Sequence, residues 1–107
     1  MKSLKFARHL AEMILSGQKY CTWRIDDDKE LRAGEVISLI RRPELAVFAQ
    51  AKILWVKETT FASLTSEDYE GHETFDSSEE MYAAYEKYYG KTVGPETVVK
   101  VVRFELL

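Results

Sequence analysis

The sequence contains a single cysteine, two prolines and no long apolar run. One cysteine, Cys21, cannot form an internal disulfide, which is typical of a cytoplasmic protein. No segment approaches the roughly 18 consecutive apolar residues that a membrane span requires, and charged residues in the first predicted helix do not fit a secretory signal peptide. We therefore expect a cytoplasmic protein without membrane contact, folded as one domain over residues 1–107.

The sequence also lacks an excess of basic residues. Fifteen Lys and Arg stand against 18 Asp and Glu, for a net charge of −3. A protein that coats nucleic acid through many phosphate contacts needs the opposite balance, so that class is excluded, whereas a small basic pocket is not. No spacing of His, Cys and acidic residues matches a metal-ligand pattern. We expect neither a metal nor another cofactor.

What the sequence does contain is a helix pattern that gives way to a strand at Gly17. Before Gly17 the apolar residues recur at three- and four-residue spacing: Ala7, Leu10, Ala11, Ile14 and Leu15. Gly17 occupies the place of a left-handed helix cap. After it the period becomes two, with apolar residues on one face of the strand and Thr22 and Arg24 on the other. This junction sets Lys19, Thr22 and Arg24 close together, which suits an anionic or amide-bearing ligand.

The remaining patterns predict an α+β fold. Strands are predicted at 3–5, 35–40, 46–57 and 97–107, and the third of these is long enough to bend or bulge. Capped helix starts are predicted at Thr65 and at Ser77, and the second helix ends before Gly90. The tyrosines of that helix recur at helical spacing, which we interpret as core packing. Strands with helices inserted at two points favour a small barrel that removes exposed sheet edges.

The spacing Gly17-x-Lys19-x-x-Thr22-x-Arg24 resembles the signature of the ASCH domain, a member of the PUA-like superfamily. Residues 31–36 resemble the turn into that family's second strand, residues 63–65 the lead into its helical insertion, and residues 99–105 its closing strand. The resemblance implies a small PUA-like β-barrel with an N-terminal helix and a helical insertion before the last strand. It also implies a cleft beside the first helix for a nucleotide or an RNA-derived ligand.

ASCH proteins of this length include small amidohydrolases that cleave N4-acetylcytidine to cytidine and acetate, with a Lys, a Thr and a Glu proposed to carry the reaction. By that resemblance Lys19, Thr22 and Glu73 are the catalytic candidates. Glu73 needs an adjustment of one residue to come into register, and Glu70 is the alternative acid.

Two assignments of roles are open. In one, Thr22 is the nucleophile and Lys19 the base, with a lysine pKa lowered by burial and by Arg24. In the other, Glu73 activates a water while Lys19 and Arg24 stabilise the oxyanion. In either case Lys19 must lie in the turn, because residues three apart on a regular strand point to opposite faces.

The sequence thus predicts recognition of a nucleoside, a nucleotide or an RNA element in a Lys/Thr/Arg-lined cleft. Arg24, Tyr20 and Arg41 are the expected ligand contacts, and an amidohydrolase acting on N4-acetylcytidine-like substrates is the most concrete enzymatic form. The alternatives are a non-catalytic RNA-binding module and a small ribonuclease that uses Lys19 with Tyr20. We expect a monomer or a weak dimer, and His72 as an ordinary surface or half-buried histidine.

Overall fold

The computed structural model describes all 107 residues. The strands are β1 (Ser3–Phe6), β2 (Cys21–Arg24), β3 (Val36–Arg41), β4 (Ala46–Thr60) and β5 (Val98–Leu106). The helices are α1 (Arg8–Leu15), α2 (Ser66–Tyr69) and α3 (Ser78–Tyr89), with a single 3₁₀ turn at Phe61–Ser63. The elements follow the predicted order, including the short first strand.

The five strands form one curled sheet in the order β1-β3-β4-β5-β2. β1 runs parallel to β3, and every other neighbouring pair is antiparallel. The long strand β4 carries the predicted irregularity, a register shift against β5 between Ile53 and Trp55, and such a bulge bends a strand. The predicted α+β fold is confirmed, with the sheet curled into a half-barrel.

The two edge strands of the half-barrel are joined by a side chain. β1 and β2 share no backbone ladder, but Arg24 Nη2 in β2 donates a hydrogen bond of 2.9 Å to the carbonyl oxygen of Lys5 in β1. The guanidinium also lies over the Phe6 ring, 4.7 Å from its centroid. Arg24 therefore spans the gap between the strands that a closed barrel would pair.

Apolar residues pack in two clusters, one inside the curl of the sheet and one beneath the helical insertion. The first cluster is built from Leu4, Phe6, Ile14, Leu31, Ile37, Leu39, Ala51, Ile53, Val102 and Phe104. The second is built from Cys21, Trp23, Ile25, Phe61, Met81, Tyr85, Val93, Val99 and Val101. Trp23 at its centre fixes β2 to the insertion. The predicted tyrosine packing holds for Tyr85, whereas Tyr88 is 56% exposed.

The caps of the insertion match the sequence patterns. Thr65 and Asp68 satisfy each other's backbone groups at the start of α2, and Ser77 Oγ accepts the amide of Glu80 at 3.1 Å. Gly90 ends α3 in the left-handed conformation. Asp68 is fully buried and its carboxylate lies 2.8 Å from Lys57 Nζ, so this acidic side chain supports the fold.

None of the helices combines the length and the apolar character that crossing a bilayer requires. The longest, α3, has 12 residues, and its first turn is acidic.

Candidate active site

Lys19 lies in the turn between α1 and β2, as its proposed role requires. The amides of Gln18 and Lys19 both donate to the carbonyl oxygen of Met13, at 2.9 and 3.1 Å, and Gly17 takes the left-handed conformation with φ of 85°. This turn releases Lys19 from the alternation of β2. Its side chain, 1% exposed, then enters the protein interior.

A buried ion pair joins Lys19 to Glu73. Lys19 Nζ lies 2.6 Å from Glu73 Oε2 and 2.6 Å from the carbonyl oxygen of Cys21, and it donates to both. Burial lowers the pKa of Lys19, and the charge of Glu73 opposes that shift. Burial, the largest single effect, would raise the pKa of Glu73, but the charge and hydrogen bond of Lys19, with smaller contributions from its neighbours, together hold the carboxyl below its usual range. Glu73 is therefore ionised at neutral pH, and it is the more accessible member of the pair, with 22% of its side chain exposed.

Gly71 brings Glu73 to Lys19 although 54 residues separate them along the chain. Its carbonyl oxygen accepts the amides of Tyr20 and Cys21, at 2.9 and 3.1 Å, which attaches the insertion to the start of β2. Gly71 has φ of 75°, and a Cβ at this position would lie 2.5 Å from the Tyr20 ring. Only glycine fits this close approach without displacing the ring.

His72 is buried and fixed on every side, unlike the surface or half-buried histidine that the sequence predicted. Its ring stacks on Trp23 at 3.7 Å between centroids. Nδ1 lies 2.9 Å from the carbonyl oxygen of Glu73, so it carries the proton, and Nε2 accepts from the Tyr85 hydroxyl at 3.2 Å. Burial and the nearby Lys19 charge lower the pKa of His72 to about 3. The imidazole is thus neutral and packs beneath Glu73 without taking part in proton transfer.

The burial of His72 predicts a specific pH dependence of stability. Its pKa is about 3 in the folded protein and 6.5 in an ordinary environment, so below pH 6.5 the unfolded chain binds a proton that the folded chain does not. The free energy of unfolding should therefore fall as the pH falls from about 6 to about 5, by at most about 1.4 kcal/mol per pH unit.

Urea unfolding of the wild type and of His72→Phe at both pH values measures this slope. Phenylalanine keeps a ring against Trp23 but has no titrating group, so the variant should show the shallower pH dependence. Equal slopes for the two proteins would contradict the assignment to His72.

A cavity of about 180 Å³ opens beside the ion pair, between the start of α1, β2 and α3. Glu73, Thr22 and Arg24 supply polar groups to its wall, and Arg24 Nε donates to Thr22 Oγ1 at 3.2 Å. The rest of the lining is Lys5, Phe6, Ala7, Leu10, Trp23, Arg42, Tyr85, Tyr88 and Tyr89. Thr22 is only 4% exposed, so it lies deep in the wall of the cavity.

Four of the predicted site residues lie together. Thr22, Arg24 and Glu73 line the cavity, and Lys19 lies behind Glu73. The sequence did not predict a buried role for His72. The only local hint of a close approach is Gly71, the glycine that precedes it.

The other three candidates lie elsewhere. Tyr20 packs against the Arg103 guanidinium, 5.2 Å from the ring centroid, in a separate groove. Arg41 Nε donates to Glu44 at 2.9 Å, and the next residue, Arg42, takes the place at the cavity that Arg41 was expected to fill. Glu70, the alternative acid, extends 59% exposed toward Arg103 outside the cavity.

No group of three or more His, Cys, Asp or Glu side chains is arranged to hold a metal ion.

Solved structures of other proteins share this fold. An ASCH domain from Lactobacillus crispatus superposes with a TM-score of 0.69 at 12% sequence identity, over 90% of this chain and 69% of that chain. The protein EF3133 from Enterococcus faecalis gives a TM-score of 0.75 at 17% identity, over 92% and 70% of the two chains. A variant of ZmASCH from Zymomonas mobilis gives 0.67 at 19% identity, over 96% and 67%. No protein-family model and no curated protein matches the sequence.

The chain therefore has the α+β fold of ASCH domain proteins, as the spacing from Gly17 to Arg24 predicted.

Proposed function

We propose that the cavity binds a nucleoside, a nucleotide or an RNA element, and that the protein is an amidohydrolase acting on an N4-acylated cytidine. The observation that carries this proposal is the buried Lys19–Glu73 pair, which holds an ionised carboxylate at the wall of a cavity. Thr22 and Arg24 line the same cavity, and their side chains are hydrogen-bonded to each other. Aromatic rings in the lining offer surfaces on which a base can stack.

The exposure of the two ion-pair partners distinguishes their roles. Lys19 is 1% exposed and already donates to two acceptors, whereas Glu73 opens onto the cavity. Glu73 is thus the group that reaches water and substrate, and Lys19 positions it and keeps it ionised. Among the two assignments left open by the sequence, this geometry favours activation of water by Glu73.

In this mechanism Glu73 takes a proton from a water molecule while the water oxygen bonds to the acyl carbon of the substrate. The carbonyl oxygen becomes an oxyanion that faces Arg24 and Thr22. Because Thr22 Oγ1 accepts from Arg24 Nε, its hydroxyl proton is free to donate to that oxyanion. The bond from carbon to N4 then breaks, the proton held by Glu73 passes to N4, and cytidine and acetic acid leave.

Attack by Thr22 itself fits the site less well. The hydrogen-bond partner of Thr22 Oγ1 is a guanidinium, which cannot take the hydroxyl proton. Lys19, the other proposed base, is held by Glu73 and by a backbone carbonyl. A threonine without a base is a weak nucleophile.

Incubation of the protein with N4-acetylcytidine, with cytidine release followed by chromatography, tests the proposal. We expect turnover above a buffer blank and no acetylated protein in the intact mass spectrum of samples quenched during turnover. An acetyl group trapped on Thr22 would overturn the water mechanism, and a rate equal to the blank would overturn the hydrolase.

A non-catalytic RNA-binding module is the second candidate, favoured by two exposed cations at the cavity, Lys5 and Arg42. It predicts RNA affinity that falls with salt and with Arg24→Gln, without turnover of N4-acetylcytidine. A ribonuclease that uses Lys19 with Tyr20 is not favoured, because the Lys19 ammonium is buried and held by Glu73 and by the carbonyl oxygen of Cys21.

A further inference from the structure

We infer that Lys5 and Arg42 form a phosphate subsite at the mouth of the cavity, so that the ligand is a phosphorylated nucleoside rather than a free one. This inference rests on the proposed function, since it takes the same cavity as the place of the nucleoside.

The backbone of β1 sets the three cations side by side. Arg24 reaches across from β2 and donates through Nη2 to the carbonyl oxygen of Lys5, at 2.9 Å. From the other side, the backbone amide of Arg42 donates to the carbonyl oxygen of Phe6, also at 2.9 Å. The two arginines are thus attached to consecutive carbonyls of β1, and all three residues border the cavity.

These three cations have no carboxylate partner in the structure, whereas neighbouring arginines do. Arg8 and Arg41 both pair with Glu44, at 3.6 and 2.9 Å. The acid in the cavity wall, Glu73, is paired with Lys19 at 2.6 Å. The mouth of the cavity therefore carries positive charge that is not paired with a carboxylate.

The arginine charges also act on each other. Burial lowers the pKa of Arg24, nearby Tyr89, Tyr85 and Asp27 oppose that shift, and the charge of Arg42 adds a smaller lowering. An anion bound by Arg42 would reduce this repulsion. Phosphate suits the place because guanidinium groups bind its oxygens in paired, charge-assisted hydrogen bonds.

The exposure of the lining residues changes along the cavity, and this gradient predicts the orientation of the bound ligand. Thr22 and Trp23 are buried at the inner end, while Lys5 and Arg42 are exposed at the mouth. A base bound near Glu73 at the inner end leaves its sugar and phosphate toward the mouth. The phosphate can belong to a nucleoside 5′-monophosphate or to a phosphodiester of RNA, since both present the same oxygens.

Calorimetric titration of the protein with cytidine and with cytidine 5′-monophosphate at low salt tests the subsite. We expect the monophosphate to bind about tenfold more tightly, the equivalent of one charge-assisted contact, and the difference to shrink in higher salt. Arg42→Gln and Lys5→Gln should each remove most of this preference while leaving the affinity for cytidine unchanged.

Arg32→Gln is the matched control, because Arg32 is an arginine with a 79% exposed side chain outside the cavity lining. The Arg32→Gln variant should keep the preference for cytidine 5′-monophosphate over cytidine. A trinucleotide with a central cytidine and no terminal phosphate distinguishes the two phosphate sources: a gain in affinity over cytidine that Arg42→Gln removes assigns the subsite to a phosphodiester as well.

Equal binding of cytidine and its monophosphate, or a preference that both variants retain, would overturn the subsite and leave the proposed nucleoside site standing. Failure of both ligands to bind would overturn the proposed function together with the subsite.

Discussion

Replacing Glu73 with glutamine is expected to lower the kcat for N4-acetylcytidine hydrolysis by about 100- to 10,000-fold, the usual range for loss of a general base. The amide keeps the shape of the side chain but cannot take a proton from water. Because ground-state contacts change little, the affinity for cytidine should stay within about threefold. Chromatographic rates and calorimetric titration of the same preparations measure the two quantities.

Glu70→Gln is the matched control for this experiment. Glu70 is a glutamate of the same insertion, but its side chain is 59% exposed and faces Arg103 rather than the cavity. Its variant should keep the wild-type kcat within about threefold. The account is wrong about the acid if Glu73→Gln keeps most of the activity or if Glu70→Gln loses as much.

Replacing Lys19 with methionine should destabilise the fold by about 3 kcal/mol, near the lower end of the range for breaking a buried ion pair because Glu73 is 22% exposed. The loss arises because Glu73 keeps a partly buried charge without its partner. Urea unfolding followed by circular dichroism measures the free energy of unfolding.

Lys19→Met combined with Glu73→Leu should recover most of that free energy, because an apolar pair leaves no uncompensated charge. Lys91→Met is the control: Lys91 and Asp26 also form a close ion pair, at 2.7 Å, but their side chains are 44% and 66% exposed. The free energy of unfolding of Lys91→Met should fall by less than about 1 kcal/mol. A double variant no more stable than Lys19→Met would show that the charge on Glu73 is not the cause.

The sequence was sufficient where the signal is local. The change of period at Gly17 identifies the end of α1, the turn and β2, and thereby the place of Lys19 outside the strand alternation. The caps at Thr65 and Ser77 involve residues three apart, so their patterns are complete within one turn of helix.

The choice between Arg41 and Arg42 needed the register of β3. Neighbouring residues at a strand end point to opposite sides, and a shift of one residue exchanges them. β3 has such a shift against β4 between Leu39 and Ile40. The sequence carries no sign of that irregularity, so it does not reveal that Arg42 borders the cavity and Arg41 pairs with Glu44.

The environment of His72 depends on contacts between distant segments. Its ring is buried because Trp23 from β2 stacks on it and the hydroxyl of Tyr85 from α3 hydrogen-bonds to its Nε2. A sequence pattern describes one helix or strand at a time, so it does not predict contacts such as His72 with Trp23 or with Tyr85. The link that Arg24 makes between the edge strands also depends on a distant segment, because its acceptor, the Lys5 carbonyl oxygen, belongs to β1.

The central claim is that a nucleoside occupies the cavity beside Glu73, and a crystal structure of the protein with cytidine tests it most directly. The account predicts the cytosine ring in the cavity, with N4 within hydrogen-bond reach of the Glu73 carboxylate, directly or through one water. Cytidine bound instead in the groove beside Tyr20 and Arg103, or a cavity still empty at saturating cytidine, would contradict it.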